Sequence, residues 1–137
     1  MHKVTGGCLC GAVRFESSAE PKMTVACHCR TCQKNTGSAF SLNVAMPADE
    51  VTITGDTVRT YEESHEAGGP PFYRSFCSNC GSPISGRGDA YPGVLFLKAG
   101  TFDDSSWIKP SAHMWCAEKQ PWVDIGEDVQ RFDGSPS

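Results

Sequence analysis

The chain has 137 residues, a formal net charge of −4 and eight cysteines. No run approaches the roughly 18 apolar residues of a membrane span, and the mild acidity without a Lys/Arg cluster excludes nucleic acid as the main partner. Leu, Ile, Val and Phe together make up only 24 residues while Gly and Pro supply 23, so a thin core in a turn-rich chain needs staples, either disulfides or a metal.

Taken in chain order, residues 6–11 read as a Gly- and Cys-rich turn. Residues 12–16 (AVRFE) alternate apolar and charged side chains, the pattern of a half-buried strand. Residues 23–26 form a short apolar run. Residues 30–35 are polar and suit a short helix. Alternation returns at 40–46, 51–54 and 58–61. Residues 62–71 carry charge, Gly and Pro and read as an exposed loop. Residues 72–76 lead into the last cysteine pair. Residues 93–98 (GVLFLK) are the most apolar run and the expected most buried strand, and 111–116 is a further strand candidate. The three tryptophans, Trp107, Trp115 and Trp122, are expected to pack in the core or at its rim. The pattern describes one mainly β domain over 1–137, with at most a short helix and a frayed tail at 134–137. The N-terminus MHKVTGGCLCG lacks the apolar stretch of a signal peptide, so a cytoplasmic location is expected, where thiols stay reduced.

Seven cysteines fall in three tight groups: Cys8 and Cys10; Cys27, Cys29 and Cys32; Cys77 and Cys80. Cys116 stands apart. Cysteines two or three residues apart converge readily on one ion but make poor mutual disulfides, which favours metal. Cys77-Ser-Asn-Cys80-Gly81 is a zinc knuckle whose glycine permits the backbone turn that aims N–H groups at sulfur. It needs a second pair. Cys29 with Cys32 is one candidate, but Cys8 with Cys10 is preferred because it leaves no cysteine of the middle cluster stranded. The result is a closed four-sulfur site and a remaining trio, Cys27, Cys29 and Cys32. Three ligands with an open position is the pattern of a reactive zinc. His28 or Cys116 as a fourth ligand, and an iron–sulfur cluster, remain as alternatives. A zinc already carrying three thiolates is a weak water activator but a good holder of another soft ligand, so thiol chemistry on a small electrophile is expected.

Residues 5–15 (TGGCLCGAVRF), 27–40 (CHCRTCQKNTGSAF) and 74–83 (RSFCSNCGSP), with 97–104 (LKAGTFDD) and the H-M-W and Q-P-W of 113–122, resemble the glutathione-dependent formaldehyde-activating enzyme family, also called S-(hydroxymethyl)glutathione synthases. The resemblance implies a β-tent of short antiparallel strands with two zinc ions per chain. It implies Cys8, Cys10, Cys77 and Cys80 as structural zinc ligands and Cys27, Cys29 and Cys32 as catalytic zinc ligands. It implies a carbon–sulfur lyase reaction in which glutathione, as a zinc-bound thiolate, adds to formaldehyde or a related aldehyde. The alternative from a different class is a non-catalytic zinc module that carries glutathione or binds a protein partner. A methionine-R-sulfoxide reductase with Cys116 as nucleophile is disfavoured, because its late Arg-Tyr-Cys motif is absent. Arg30 and Lys34 are candidate partners for substrate carboxylates or for the anionic site, although solvated surface charge is the simpler reading. His28 is a candidate for orienting the sulfurs, His113 for a structural histidine, Phe40 and Gly37 for a pocket wall, and Cys116 for a buried inert thiol.

Overall fold

A computed structural model describes residues 3–64 and 70–135. Its elements in order are β1 (Val4–Gly7), β2 (Arg14–Ser17), β3 (Met23–Cys27), α1 (Arg30–Thr36), β4 (Ser41–Pro47), β5 (Thr52–Thr54), β6 (Val58–Glu63), β7 (Phe72–Cys77), β8 (Pro83–Gly88), β9 (Val94–Lys98), β10 (Ala112–Met114) and β11 (Gln130–Arg131). The mainly β architecture with one short helix agrees with the sequence reading.

The strands form two sheets. The smaller has the order β1-β2-β5, and the larger β11-β10-β3-β4-β9-β8-β7-β6. Pairing is antiparallel except at β10, which runs parallel to both β3 and β11. Side chains alternate across a strand, and this divides the large sheet into two faces. Val44, Met46, Ile84, Leu95 and Leu97 point to one face and close a core with Val4, Val13, Phe15 and Phe102. The small sheet supplies part of that cover. Met23, Val25, Ala45, Phe96 and Lys98 point to the other face, where they line a cavity.

Several local expectations are corrected. Gly6 and Gly7 lie in β1 rather than in a turn. A Cβ on Gly6 would stand 2.3 Å from the carbonyl oxygen of Thr101 and 2.4 Å from the Phe15 ring, so this glycine serves close packing. β8 was hidden by its composition: PISGRG carries a proline and two glycines in six residues. β9 is not the most buried strand, since its residues alternate between buried and half-buried; β4 is buried over more of its length. The strand expected at 111–116 stops at Met114, because Trp115 adopts a left-handed conformation with φ 58° and Cys116 opens a 3-10 turn. None of the tryptophans is buried in the core: Trp107, 43% exposed, takes the expected rim position edge-on to the core ring of Phe102 at 5.6 Å, while Trp115 and Trp122 are 37% and 75% exposed. The interior is instead filled by aliphatic side chains, Met46, Ile84 and Leu97 the largest of them, and by the phenyl rings of Phe15 and Phe102, whose centroids are 5.2 Å apart.

Of the expected loop, Glu62 and Glu63 belong to β6, and 65–69 lie outside the described residues. Near the other end, Gly134 is tied down: its carbonyl accepts from Trp115 N–H at 3.0 Å. Residues 136–137 of the expected frayed tail lie outside the described residues.

Candidate metal centres and their cavity

The β1–β2 turn carries Cys8 and Cys10, and the β7–β8 turn carries Cys77 and Cys80. Both turns end in a glycine at positive φ, Gly11 at 83° and Gly81 at 81°. A side chain there would strain the backbone. These turns bring four sulfurs within 4.8 Å of one another. Cys8 and Cys10 Sγ are 3.6 Å apart, and Cys10 and Cys77 Sγ 3.8 Å. A tetrahedron with zinc–sulfur bonds of about 2.3 Å has edges of about 3.8 Å. The sulfur spacing therefore fits a tetrahedral ion.

Hydrogen-bond donors surround these sulfurs. Val13 N–H donates to Cys8 Sγ at 3.2 Å, and the Asn79 side-chain amide donates to Cys10 Sγ at 3.2 Å. Thr57 and Ser82 hydroxyls lie 3.2 Å from Cys77 and Cys80 Sγ, respectively. The Thr57 contact holds the Cys77 thiol below its usual range, and bonds from Ser82 bring Cys80 down to about 5. Such donors favour thiolate, the form that ligates metal. The cluster ties the small sheet to the large one.

The second cluster is built at the junction of β3 and α1. Cys27 ends β3, Cys29 is the N-cap of α1, and Cys32 lies in its first turn. Cys29 Sγ accepts the N-cap hydrogen bond from Cys32 N–H at 3.3 Å. Cys27 and Cys29 Sγ are 3.5 Å apart, and the three sulfurs lie within 4.8 Å of one another. Among the described residues no fourth Cys, His, Asp or Glu joins this set. Hydrogen bonds from Cys27 and Cys29, followed by the charges of Lys98 and Arg74, push Cys32 down; hydrogen bonds with Cys29 and Cys32, then burial, push Cys27 up. Three thiols this close cannot all ionise without a cation between them. Their donor set suits zinc.

The alternatives raised for the eighth cysteine and for His28 resolve structurally. Cys116 is half-buried, and its Sγ lies 3.6 Å from the His113 carbonyl. His28 is fully buried, turned away from the sulfurs. Its Nε2 lies 2.9 Å from His113 Nδ1, and the two rings stack at 5.1 Å with Phe40 against His28 at 5.2 Å. Burial, then Coulombic interaction with His113 and with the Lys119 ammonium, brings His28 down to about 4; burial, then Arg131, lowers His113. Both rings are thus neutral near pH 7 and share one N–H. His113 is the structural histidine expected. His28 Nδ1 is buried without a hydrogen-bond partner.

The trio opens on a cavity of about 620 Å³ on the face of the large sheet opposite the core. Its wall includes Arg74 and Lys98, two cations the sequence reading missed. Lys98 Nζ donates to Ser41 Oγ at 2.6 Å and to Asn43 Oδ1 at 3.1 Å. Arg74 Nε donates to Glu63 Oε1 at 2.7 Å, and its guanidinium lies 4.7 Å from the centroid of the Phe72 ring. Both residues stand in the segments that carry the family resemblance, yet nothing local in R-S-F-C or L-K-A-G marks them as neighbours of Cys32. Only the strand order does. The expected cations, Arg30 and Lys34, do not line the cavity. Arg30 instead bonds Gln33, a buried residue that also clamps the His28 and Glu118 carbonyls at 2.7 and 3.0 Å. Phe40 and Gly37 do not line it either: Phe40 packs on His28, and Gly37 ends α1 with φ 67°.

A β-fold carrying a four-cysteine cluster and a three-cysteine cluster with a cavity defines a class of candidate metal-dependent thiol proteins. The comparisons narrow this. The sequence model of the family described as glutathione-dependent formaldehyde-activating enzyme matches residues 3–118. The chain belongs to that family. A Halomonas elongata protein bearing the family's name is 29% identical over 137 residues, covering 96% of this chain and 87% of its own. One from Talaromyces marneffei is 32% identical over 88 residues, 62% of this chain and 46% of its own. The crystal structure of a Rhodobacter sphaeroides protein has the same fold, with a TM-score of 0.58 at 17% identity over 77% of this chain and 91% of the other. Among the described residues, no helix is long and apolar enough to cross a membrane.

Proposed function

We propose that this protein is a carbon–sulfur lyase-type enzyme that adds a small thiol, glutathione in the first instance, to formaldehyde or a related aldehyde. In this reading Cys27, Cys29 and Cys32 hold a catalytic zinc, and Cys8, Cys10, Cys77 and Cys80 hold a structural one. The observation that carries it is the contrast between a closed set of four sulfurs and a set of three that faces a cavity. The family's name supplies the two substrates.

Zinc at the trio would supply a Lewis acid that keeps a substrate thiol ionised near neutral pH. The protein's own residues do the rest. Cys32 N–H supports the Cys29 sulfur and fixes its direction. Lys98 and Arg74 offset the negative charge of a three-thiolate centre, formally −1 with a divalent ion. Lys98 spends two N–H groups on Ser41 and Asn43, which leaves its third for a developing oxyanion. The substrate sulfur attacks the carbonyl carbon, the carbon–sulfur bond forms, and the carbonyl π pair moves to oxygen. That oxygen takes a proton, and the hemithioacetal leaves. The step is redox-neutral.

Two-dimensional exchange NMR on formaldehyde and glutathione tests this. Zinc-loaded protein is expected to accelerate exchange above the spontaneous rate, and Cys29→Ser to remove the acceleration while keeping the fold. No acceleration by the folded, zinc-loaded protein overturns the reading.

A further inference from the structure

The cavity is far larger than the proposed electrophile. Formaldehyde has two heavy atoms, while about 620 Å³ equals roughly 20 water volumes. Its size lies in the range of pockets that enclose drug-sized ligands.

The extra space is apolar and has a definite direction. Cys27, Val25 and Met23 alternate onto one face of β3, so the floor runs about 13 Å from the trio. The register continues it sideways: Met23 faces Ala45, and Ala45 faces Phe96. Val94 extends the far edge. Apart from Lys22, no cation among the described residues lines this half. The cations Lys98 and Arg74 belong to the cysteine half and already have partners.

Glutathione does not explain this floor. Its two carboxylates and ammonium would lie against Met23, Val25, Ala45 and Phe96, and burying unpaired charge there is costly. Placing those charged ends at the solvent-facing mouth leaves the floor bare. The second substrate must therefore supply an apolar body.

The geometry points to an aldehyde with a medium-length alkyl chain as the electrophile, its carbonyl at the trio and its chain on the Met23–Ala45–Phe96 floor. This rests on the thiol–aldehyde reading above and changes the aldehyde. The bonds balance as before: the thiol sulfur joins the carbonyl carbon, and the thiol proton ends on the oxygen.

The test compares octanal with formaldehyde, each with glutathione and the zinc-loaded protein, as acceleration over the uncatalysed rate. Octanal is expected to gain more. Filling the floor in Ala45→Phe, or charging it in Met23→Asp, is expected to lower the octanal-to-formaldehyde ratio by roughly tenfold or more. Met23 is partly exposed, so its replacement is compatible with folding. A second readout needs no turnover. Trp115 lines the cavity, so 1-octanol is expected to change tryptophan emission saturably in the wild-type protein and more weakly in the variants. Acceleration of formaldehyde without octanal overturns this inference and leaves the thiol–aldehyde reading standing. Acceleration of neither aldehyde overturns both. Absence of saturable octanol binding also overturns the inference.

Discussion

His28 Nε2 and His113 Nδ1 meet at 2.9 Å in the interior, joining the residue between two candidate ligands to the strand beside it. The contact reinforces the parallel β3–β10 pairing, in which His113 faces Ala26 and Met114 faces Cys27. His28 Nδ1 already lacks a partner, so the ring depends on Nε2 alone.

His113→Phe keeps the ring volume and removes that partner. It is expected to lower unfolding stability by about 1–3 kcal/mol, the cost of a second unpaired buried nitrogen. Urea denaturation of the zinc-loaded protein measures this. A change within error would show that the pair contributes nothing beyond packing.

Lys98 is the half-buried cation whose Coulombic interaction reaches all three cysteines of the trio. Lys98→Met leaves the thiolates without that charge and leaves Ser41 and Asn43 without its donor. Metal affinity at the trio or turnover is expected to fall by about 10–100-fold, the usual range for a residue that supports ligands without touching the metal. Competition with a chromogenic chelator reads the first quantity. An unchanged affinity together with unchanged turnover would contradict the role assigned to Lys98.

Chelation is expected to proceed in two stages. The trio opens on the cavity, so its ion should leave first with the far-UV dichroism intact. The four-cysteine cluster links the two sheets through residues 8 and 10 on one turn and 77 and 80 on another. Loss of its ion should unfold the domain, since structural zinc commonly carries folding free energy. A single stage, with structure and both ions lost together, would contradict this division.

Gly81 sits at φ 81° with open space around an added Cβ, so Gly81→Ala isolates backbone strain from packing. A loss of about 1–2 kcal/mol is expected in thermal or urea unfolding, the cost of a left-handed residue with a side chain. No loss would mean that the knuckle relaxes freely.

Much of the site was legible in the sequence because metal ligands cluster locally. The C-x-C, C-x-C-x-x-C and C-x-x-C spacings separated four sulfurs from three, and the structure gathers those same sets. The short helix expected at 30–35 was also legible; it runs one residue further, to Thr36, and its cap is Cys29 itself. Arg74, Lys98 and the cavity floor were not. They depend on β3, β4, β9, β8 and β7 lying side by side, which no local pattern encodes. Gly86 and Gly88 hid β8 because glycine is scarce in strands, yet a Cβ at either would press within 2.7 or 2.8 Å of the Phe72 ring. Trp107 takes the expected rim position against Phe102. Large apolar side chains are usually buried, but Trp115 borders the cavity and Trp122 is 75% exposed.

Zinc stoichiometry in the wild type and in Cys29→Ser tests the central division most directly. The account predicts two zinc ions per chain in the wild type, one for each cluster. It predicts one in folded Cys29→Ser, with four sulfur neighbours by X-ray absorption. One ion in the wild-type protein, or a Cys29→Ser chain that does not fold, would contradict it.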